Sequence, residues 1–517
     1  MEYSELLKKN AFEARDYQLK IANIAKEKNT LVVIPTGMGK TLIAVLVAAE
    51  RLQKYPGSKV LITSPTRPLN AQHKKSFEKF TSVEEERIVL ITGKIKPEDR
   101  QQLYKEAKII VATPQCIEND LQNDRLNLAD FSHITFDEAH RCVKDYAYTF
   151  IAKKYMEQSH HPLILGLTAS PGGSYEKIDE IRKNLFIEAV EIRTETDEDV
   201  EKYVKHVDKE WVYIDFPEEF QKVKLLLEEK LKSNIFWLRD HRLLQTLKPS
   251  KKSLLLLQKK ISAIYGSNRK NYAYFWALMK VIESVKIEHA IELLETQGVS
   301  SLQDYLKRLG ESQKKSDKQL MKDEKIQEAA KFVEELYASG KEHPKFEKTA
   351  EMVRNLVNEN TSIKIIIFAN YRATVEKIKN ILRGKGVSAE EFIGQTMKNG
   401  KGLSQEKQIE TLKRFKNGMF NVLVATSIGE EGLDVPAVDY AIFYEPVASE
   451  IRTIQRRGRV GRQTAGKIVF LITKNTRDEV YYWAAFHKEK RMRGILYDMK
   501  DRVERKTKKS LKDWAKK

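Results

Sequence analysis

Apolar residues along this chain come in two rhythms. Short, largely aliphatic runs occupy positions 31–34, 60–63, 88–91, 109–112, 134–136 and 163–167. Runs this short and this evenly apolar predict parallel strands buried on both faces, with helical stretches between them. From Asn29 to about Ile192 the alternation therefore predicts a doubly wound α/β domain. The same rhythm returns from Ile363, with runs at 365–368, 422–425, 440–443 and 468–472, and predicts a second α/β domain of similar design. Between about Tyr203 and His343 the strand-like runs disappear. Leu, Lys and Glu recur there at helical spacing, and Pro249, Gly266, Gly298 and Gly310 divide the stretch into four or five expected helices. The expected division is 1–202 for the first α/β domain, 203–345 for a helical insert, 346–500 for the second α/β domain and 501–517 for a basic tail or linker.

A length of 517 residues agrees with about three domains. Charged residues make up 32% of the chain, and with only two cysteines this leans towards a heat-adapted protein. Cys116 and Cys142 are isolated, which suggests neither a disulfide framework nor a zinc site. The first ten residues are too polar for a signal peptide, and no apolar run approaches a membrane span, so a cytoplasmic protein is expected, nucleoid-associated if prokaryotic.

Charge placement changes the picture more than its total. The net charge is +19, and residues 221–280 carry 14 Lys/Arg against 3 Asp/Glu. Residues 487–517 carry 13 against 5, so the rest of the chain is balanced. A basic surplus confined to two segments reads as a footprint for a polyanion, Lys251 and Lys252 included; a solvated helical face is the plainer alternative. At 268–276 basic and aromatic residues mix, and there core packing of the rings is favoured with the charges outside.

Candidate chemistry begins where the first apolar run ends. Thr36-Gly37-Met38-Gly39-Lys40-Thr41 fits a loop whose backbone N–H groups and following helix end receive phosphate oxygens. Lys40 can reach the outer phosphates and the Thr41 hydroxyl can ligate Mg²⁺, although Ile34 stands where the general phosphate loop has another glycine. Asp137-Glu138-Ala139-His140 directly follows another apolar run. Asp137 there can hold Mg²⁺ through its water shell, and Glu138 can polarise an attacking water.

With these residues in order, the sequence resembles superfamily 2 helicases of the DEAH type. Residues 36–41 look like motif I, 65–69 with Gln72 like motif Ia, and 112–115 like motif Ib. Residues 137–140 look like motif II, 167–171 like motif III, 367–372 like motif IV, 425–434 like motif V and 455–462 like motif VI. Within the superfamily the likeness is strongest to the archaeal Hef and eukaryotic FANCM group, with RIG-I-like and Dicer helicase regions as cousins. The resemblance implies two RecA-like domains around a helical insert that grips branched nucleic acid.

It also implies roles. Arg15 and Gln18 read adenine, Asp434 and Gln455 line the nucleotide, and Arg459 and Arg462 stabilise the transferring phosphate from the second domain. Arg67, Thr113, Asn370, Arg372 and Thr426 contact the nucleic-acid backbone, while His140, Thr168 and Ser170 couple nucleotide state to grip. The expected activity is ATP-dependent translocation or strand separation on forked or branched DNA in replication-fork repair. A duplex-RNA-stimulated ATPase and a branched-DNA scaffold with incidental ATPase are the alternatives. Relatives of the Hef type continue into a nuclease domain marked by Glu-Arg-Lys and, three residues on, Asp. Glu504-Arg505-Lys506 is present here, but Ser510 replaces the Asp. A nuclease domain or partner would lie beyond the C-terminus, and any sliding-clamp or repair partner is unidentified.

Overall fold

The computed structural model describes residues 4–203, 207–267, 272–394, 403–426, 435–457 and 466–514, apart from the side chains of Ser267, Gln405, Glu450, Gln455 and 502–514. The first sheet has seven strands: β1 Thr30–Val33, β2 Lys59–Thr63, β3 Ile88–Ile91, β4 Ile109–Ala112, β5 Phe131–Asp137, β6 Ile164–Thr168 and β7 Ala189–Ile192. They run parallel in the order β3-β4-β2-β5-β6-β1-β7. Val33 pairs with Thr168, and Asp137 with Leu167. The loops leaving β1, β5 and β6 therefore emerge side by side at one edge. Alternate residues of each strand feed two apolar layers, one on each sheet face.

The second sheet comprises β8 Val207–Ile214, β9 Ile365–Phe368, β10 Ala389–Phe392, β11 Val422–Ala425, β12 Tyr440–Phe443 and β13 Gly466–Thr473, again parallel, in the order β10-β11-β9-β12-β13-β8. Here the structure corrects two expectations. The strands do not cease at Tyr203, because β8 precedes the helical region and pairs along its whole length with β13. Its exposed, charged positions suit a sheet edge, and its partner lies far away in sequence, so local pattern alone gives no sign of it. The basic C-terminal stretch is likewise no separate tail: one helix, Arg477–Trp514, runs through residue 500.

Six helices, not four or five, form the insert among the described residues: Glu218–Asp240, Lys251–Ser267, Tyr272–Thr296, Val299–Gly310, Lys315–Met321 and Glu324–Ala338. Two apolar clusters hold them together, one built on Phe220, Leu227, Ile291 and Val333, the other on Leu238, Ile261 and Val281. Because β8 lies before the insert and helix Pro344–Glu359 after it, both of its ends are rooted in the second domain. Thr374 donates to Gln297, Lys377 pairs with Glu342, and Arg477 bonds Glu288 and Glu295 at 2.6 and 2.8 Å.

Helix Arg477–Trp514 then leaves the second domain and crosses to the first. Met492, Leu496 and Met499 enter the first domain's apolar layer, and Lys500 pairs with Glu191 on β7 at 3.1 Å. At its other end Asp478 pairs with Lys345, and both side chains are fully buried. Among the described residues no helix is long and apolar enough to cross a membrane.

A buried charge that loses its partner is costly, about 3–5 kcal/mol. Lys345→Met should lower stability by that order in a urea titration followed by circular dichroism. Lys345→Met/Asp478→Asn should recover part of the loss, because the stranded carboxylate is gone.

Candidate functional site

The edge where β1, β5 and β6 end carries the candidate chemistry. After β1 the chain turns through Gly37 and Gly39, whose φ values of 83° and 75° lie in the left-handed region. Gly39 has a second constraint, since a Cβ there would collide with Gln18 Nε2. The loop is held from outside: the Tyr17 hydroxyl donates to the Met38 carbonyl at 2.6 Å, and Gln18 Nε2 to the same oxygen at 3.1 Å. Gln18 Oε1 accepts from Arg15 N at 2.9 Å, and the Arg15 guanidinium lies 4.9 Å from the Tyr203 ring. Arg15 and Gln18 thus brace the loop from the helix Asp16–Ala25 side. Lys40 and Thr41 open helix Lys40–Lys54, and Lys40 Nζ donates to the carbonyls of Ile34 and Pro35 at 3.2 and 3.4 Å.

Asp137 ends β5 beside this loop. Its Oδ1 accepts from Glu138 N at 3.0 Å, and its Oδ2 is 2.9 Å from His73 Nε2. Burial works to raise the Asp137 pKa, but the hydrogen bond and charge of His73, with the Lys40 charge nearby, leave it below the ordinary carboxylate value. The backbone at this point is fixed by Tyr148, whose buried hydroxyl lies 2.7 Å from Asp137 O and 3.1 Å from Thr63 O. Glu138 has φ 52°, left-handed for a residue with a Cβ, which stores about 1–3 kcal/mol of strain and recurs at functional positions. Sequence reasoning missed His73 and Tyr148. His73 sits on a polar helix as any surface histidine would, and only the fold brings it against β5.

A polar chain leads away from Glu138. His140 Nδ1 is 3.2 Å from Glu138 Oε2 and 3.3 Å from Thr168 Oγ1. Thr168 Oγ1 donates to Ser170 O and accepts from Ser170 N, both at 3.1 Å. Ser170 Oγ lies 3.0 Å from Met492 Sδ on the helix that comes from the second domain. The three residues expected to couple are therefore in contact, and their line ends on the other domain's helix.

One buried oxygen at this edge, Thr36 Oγ1, has no hydrogen-bond partner, and Glu138 Oε2 meets His140. An orphaned hydroxyl beside a glycine turn, a lysine and an aspartate kept ionised belongs to a donor and acceptor set that fits a magnesium-bound triphosphate. Across from Thr36 stand Ile454 and Arg457 of helix Glu450–Arg457, lining with Met492 and Arg493 a cavity of about 50 Å³ between the domains. That is room for a few waters. Arg459, Arg462, Asp434 and the Gln455 side chain lie outside the described residues.

The residues expected on nucleic acid are spread over both domains. Arg67 is exposed at the start of helix Arg67–Phe80. Thr113 is buried and donates to Cys116 Sγ at 3.2 Å, and Thr426 is buried at the end of β11. Asn370 Oδ1 accepts from Arg456 at 2.8 Å and Arg452 at 3.4 Å, so its carbonyl already serves the motif VI helix. Arg372 donates to Gly394 O at 3.0 Å. In the insert, Lys252 is exposed, but Lys251 is tied to Glu292 at 2.6 Å. Of the aromatic residues near 272–276, Tyr272 and Trp276 are 79% and 45% exposed, while Tyr274 packs on the smaller insert cluster. The rings are thus divided between surface and core.

Comparison with known proteins agrees with this geometry. Family models match in chain order: DEAD/DEAH box helicase over 15–178, a helical bundle described for ATP-dependent RNA helicases over 219–338, and helicase conserved C-terminal domain over 346–464. The chain is 46% identical over 496 residues to a Methanocaldococcus jannaschii protein that carries the name of an ATP-dependent RNA helicase, covering 96% of this chain and 62% of that one. It is 33% identical to the ATP-dependent DNA helicase mph1 of Neurospora crassa, covering 90% of this chain and 41% of the relative. The Pyrococcus furiosus Hef helicase domain superposes with a TM-score of 0.72 at 45% identity, covering 93% of this chain and all of that one. The chain thus spans between two fifths and two thirds of the length of these two curated relatives.

Glu138→Gln keeps the side chain's shape but removes the carboxylate that activation of a water would require. It should leave binding of a fluorescent nucleotide nearly unchanged and lower the hydrolysis rate about 10²–10⁴-fold in a phosphate-release assay.

Proposed function

Given that this chain belongs to the DEAD/DEAH box helicase family, we propose that it is an ATP-driven motor acting on forked or branched DNA. The observation that carries the reading is that Thr36 of the glycine loop faces Ile454 and Arg457 of the second domain across one cavity, while Asp137 lies within reach of the Lys40 charge of the same loop. A nucleotide held there touches both domains, so its binding and hydrolysis set their separation.

In this mechanism the Thr36–Thr41 loop receives the phosphates through its backbone N–H groups and the end of helix Lys40–Lys54. Lys40 exchanges two backbone carbonyls for phosphate oxygens. Thr41 and Asp137 would hold a magnesium ion, which when bound would supply positive charge to the reacting phosphate. Glu138 orients the attacking water, and Arg459 and Arg462 complete the site on closure, an effect worth about 10³-fold or more in rate. The line from Glu138 through His140, Thr168 and Ser170 to Met492 passes the nucleotide state to the second domain.

Arg67, Thr113, Arg372 and Thr426 contact the strand backbone, which gives grip without reading bases. Asn370 joins them through its amide N–H groups, since its carbonyl is taken. Branch recognition resides in the insert, where Lys232, Arg239, Arg242, Lys248, Lys252, Lys259 and Lys260 are all exposed. Lys251 steadies the insert against Glu292 and contributes less. A cytoplasmic role in fork repair, nucleoid-associated if the source is prokaryotic, accompanies this reading. A second reading, stimulation by duplex RNA, is favoured by the RNA helicase name of the archaeal relative and of the helical bundle model.

Lys40→Ala should abolish nucleic-acid-stimulated ATP hydrolysis while fork binding persists; retained hydrolysis would remove the site assignment. Charge reversal at Lys248, Lys252, Lys259 and Lys260 should weaken fork binding and flatten its salt dependence by about one unit of slope per lost phosphate contact. Comparing ATPase stimulation by forks, four-way junctions, single strands and duplex RNA separates the two readings, and stronger stimulation by duplex RNA would overturn the first.

A further inference from the structure

Asp137 has a partner that the hydrolytic reading leaves unused. His73 lies within helix Arg67–Phe80, is 4% exposed, and sets Nε2 2.9 Å from Asp137 Oδ2. The other ring nitrogen, Nδ1, is buried and has no hydrogen-bond partner. Nε2 therefore directs its N–H at the carboxylate, the one acceptor the ring meets among the described residues. With Glu138 N on Oδ1, the carboxylate is held from both oxygens. Each oxygen retains a lone pair for a further donor, which a metal's water shell would supply.

The helix matters as much as the ring. Arg67 is its first residue and is exposed, whereas Asn70, one turn on, bonds both Ser64 N and Ser64 O at the end of β2. His73 lies six positions along the helix from Arg67, about 9 Å of stiff backbone. No loop intervenes between a strand contact at Arg67 and the carboxylate at Asp137.

We propose that His73 is a positioning residue that aims Asp137 at the magnesium–nucleotide and ties it to the helix beginning at Arg67. The inference rests on the assignment of Asp137 given above. A hydrogen bond that orients a metal-holding carboxylate typically changes metal affinity by about 10–100-fold when removed. A bond serving the fold alone would change stability and leave the metal dependence where it was.

The test uses the whole chain without nucleic acid. Fluorescent N-methylanthraniloyl-ADP is titrated with magnesium present or chelated, against the parent, His73→Gln, His73→Asn, His73→Ala and Asp137→Asn. A glutamine can put its amide N–H where Nε2 was, whereas asparagine reaches only the Nδ1 position. His73→Gln should therefore keep most of the magnesium-dependent affinity. His73→Asn and His73→Ala should lose about tenfold of it, with binding in chelator unchanged. Melting temperatures identify any variant that fails to fold, and the Gln and Asn pair alone decides if His73→Ala does so. Equal losses with and without magnesium, or an Asn variant matching the Gln variant, would overturn the proposal. The two readings also fail separately. Hydrolysis by Lys40→Ala removes the site itself, whereas a silent His73 beside an affected Asp137→Asn removes only this inference.

Discussion

The fully buried pair of Lys345 and Asp478 is the joint on which the architecture turns. Lys345 lies in the first turn of the helix that follows the insert, and Asp478 in the first turn of helix Arg477–Trp514. Neither side chain reaches the surface, so each charge is tolerable only while the other is present. The Thr473 N–H donates to Asp478 at 3.0 Å, fixing the end of β13 to the same point. Around that joint the insert, the second sheet and the helix to the first domain keep their relative directions. The interdomain cleft is consequently built from surfaces that this ionic contact helps to orient.

Much of this was legible in the sequence, for identifiable reasons. β3, β4, β9, β11 and β12 coincide with apolar runs because strands buried on both faces need no alternation. β8 and β10 are sheet edges with charged positions, Asp208 and Lys209 in one and Glu390 and Glu391 in the other, so nothing apolar announces them. The glycine turn after β1 and the acidic pair at the end of β5 could be placed because their signals are local. His73, Tyr148 and Met492 could not, because each acts through a partner at least eleven positions away. Tyr148 is the clearest case. Its ring packs in the core as any tyrosine's would, and its hydroxyl serves two backbone carbonyls of different strands.

Charge followed the same division. The surplus in the insert was visible by counting, and most of its cations do face solvent. Counting could not tell Lys251, neutralised by Glu292, from Lys252, which is not masked in that way. Burial acts against ionisation of Glu292, yet its contacts with His289 and Lys251 bring it down to about 2, so this acid holds its lysine throughout the physiological range. The basic C-terminal stretch shows the other outcome: Lys500 serves an internal contact with Glu191, and part of that apparent footprint is structural cement.

Because β8 comes before the insert and helix Pro344–Glu359 after it, the insert is anchored at both ends to the second sheet. Its long helices, Glu218–Asp240 and Tyr272–Thr296, project from that anchor over about 35 Å. In mechanical terms the insert is a lever arm carried by one jaw, not a bridge between two. A few degrees of rotation at the interdomain cleft would sweep its tip by about 2–3 Å along whatever the lysines hold.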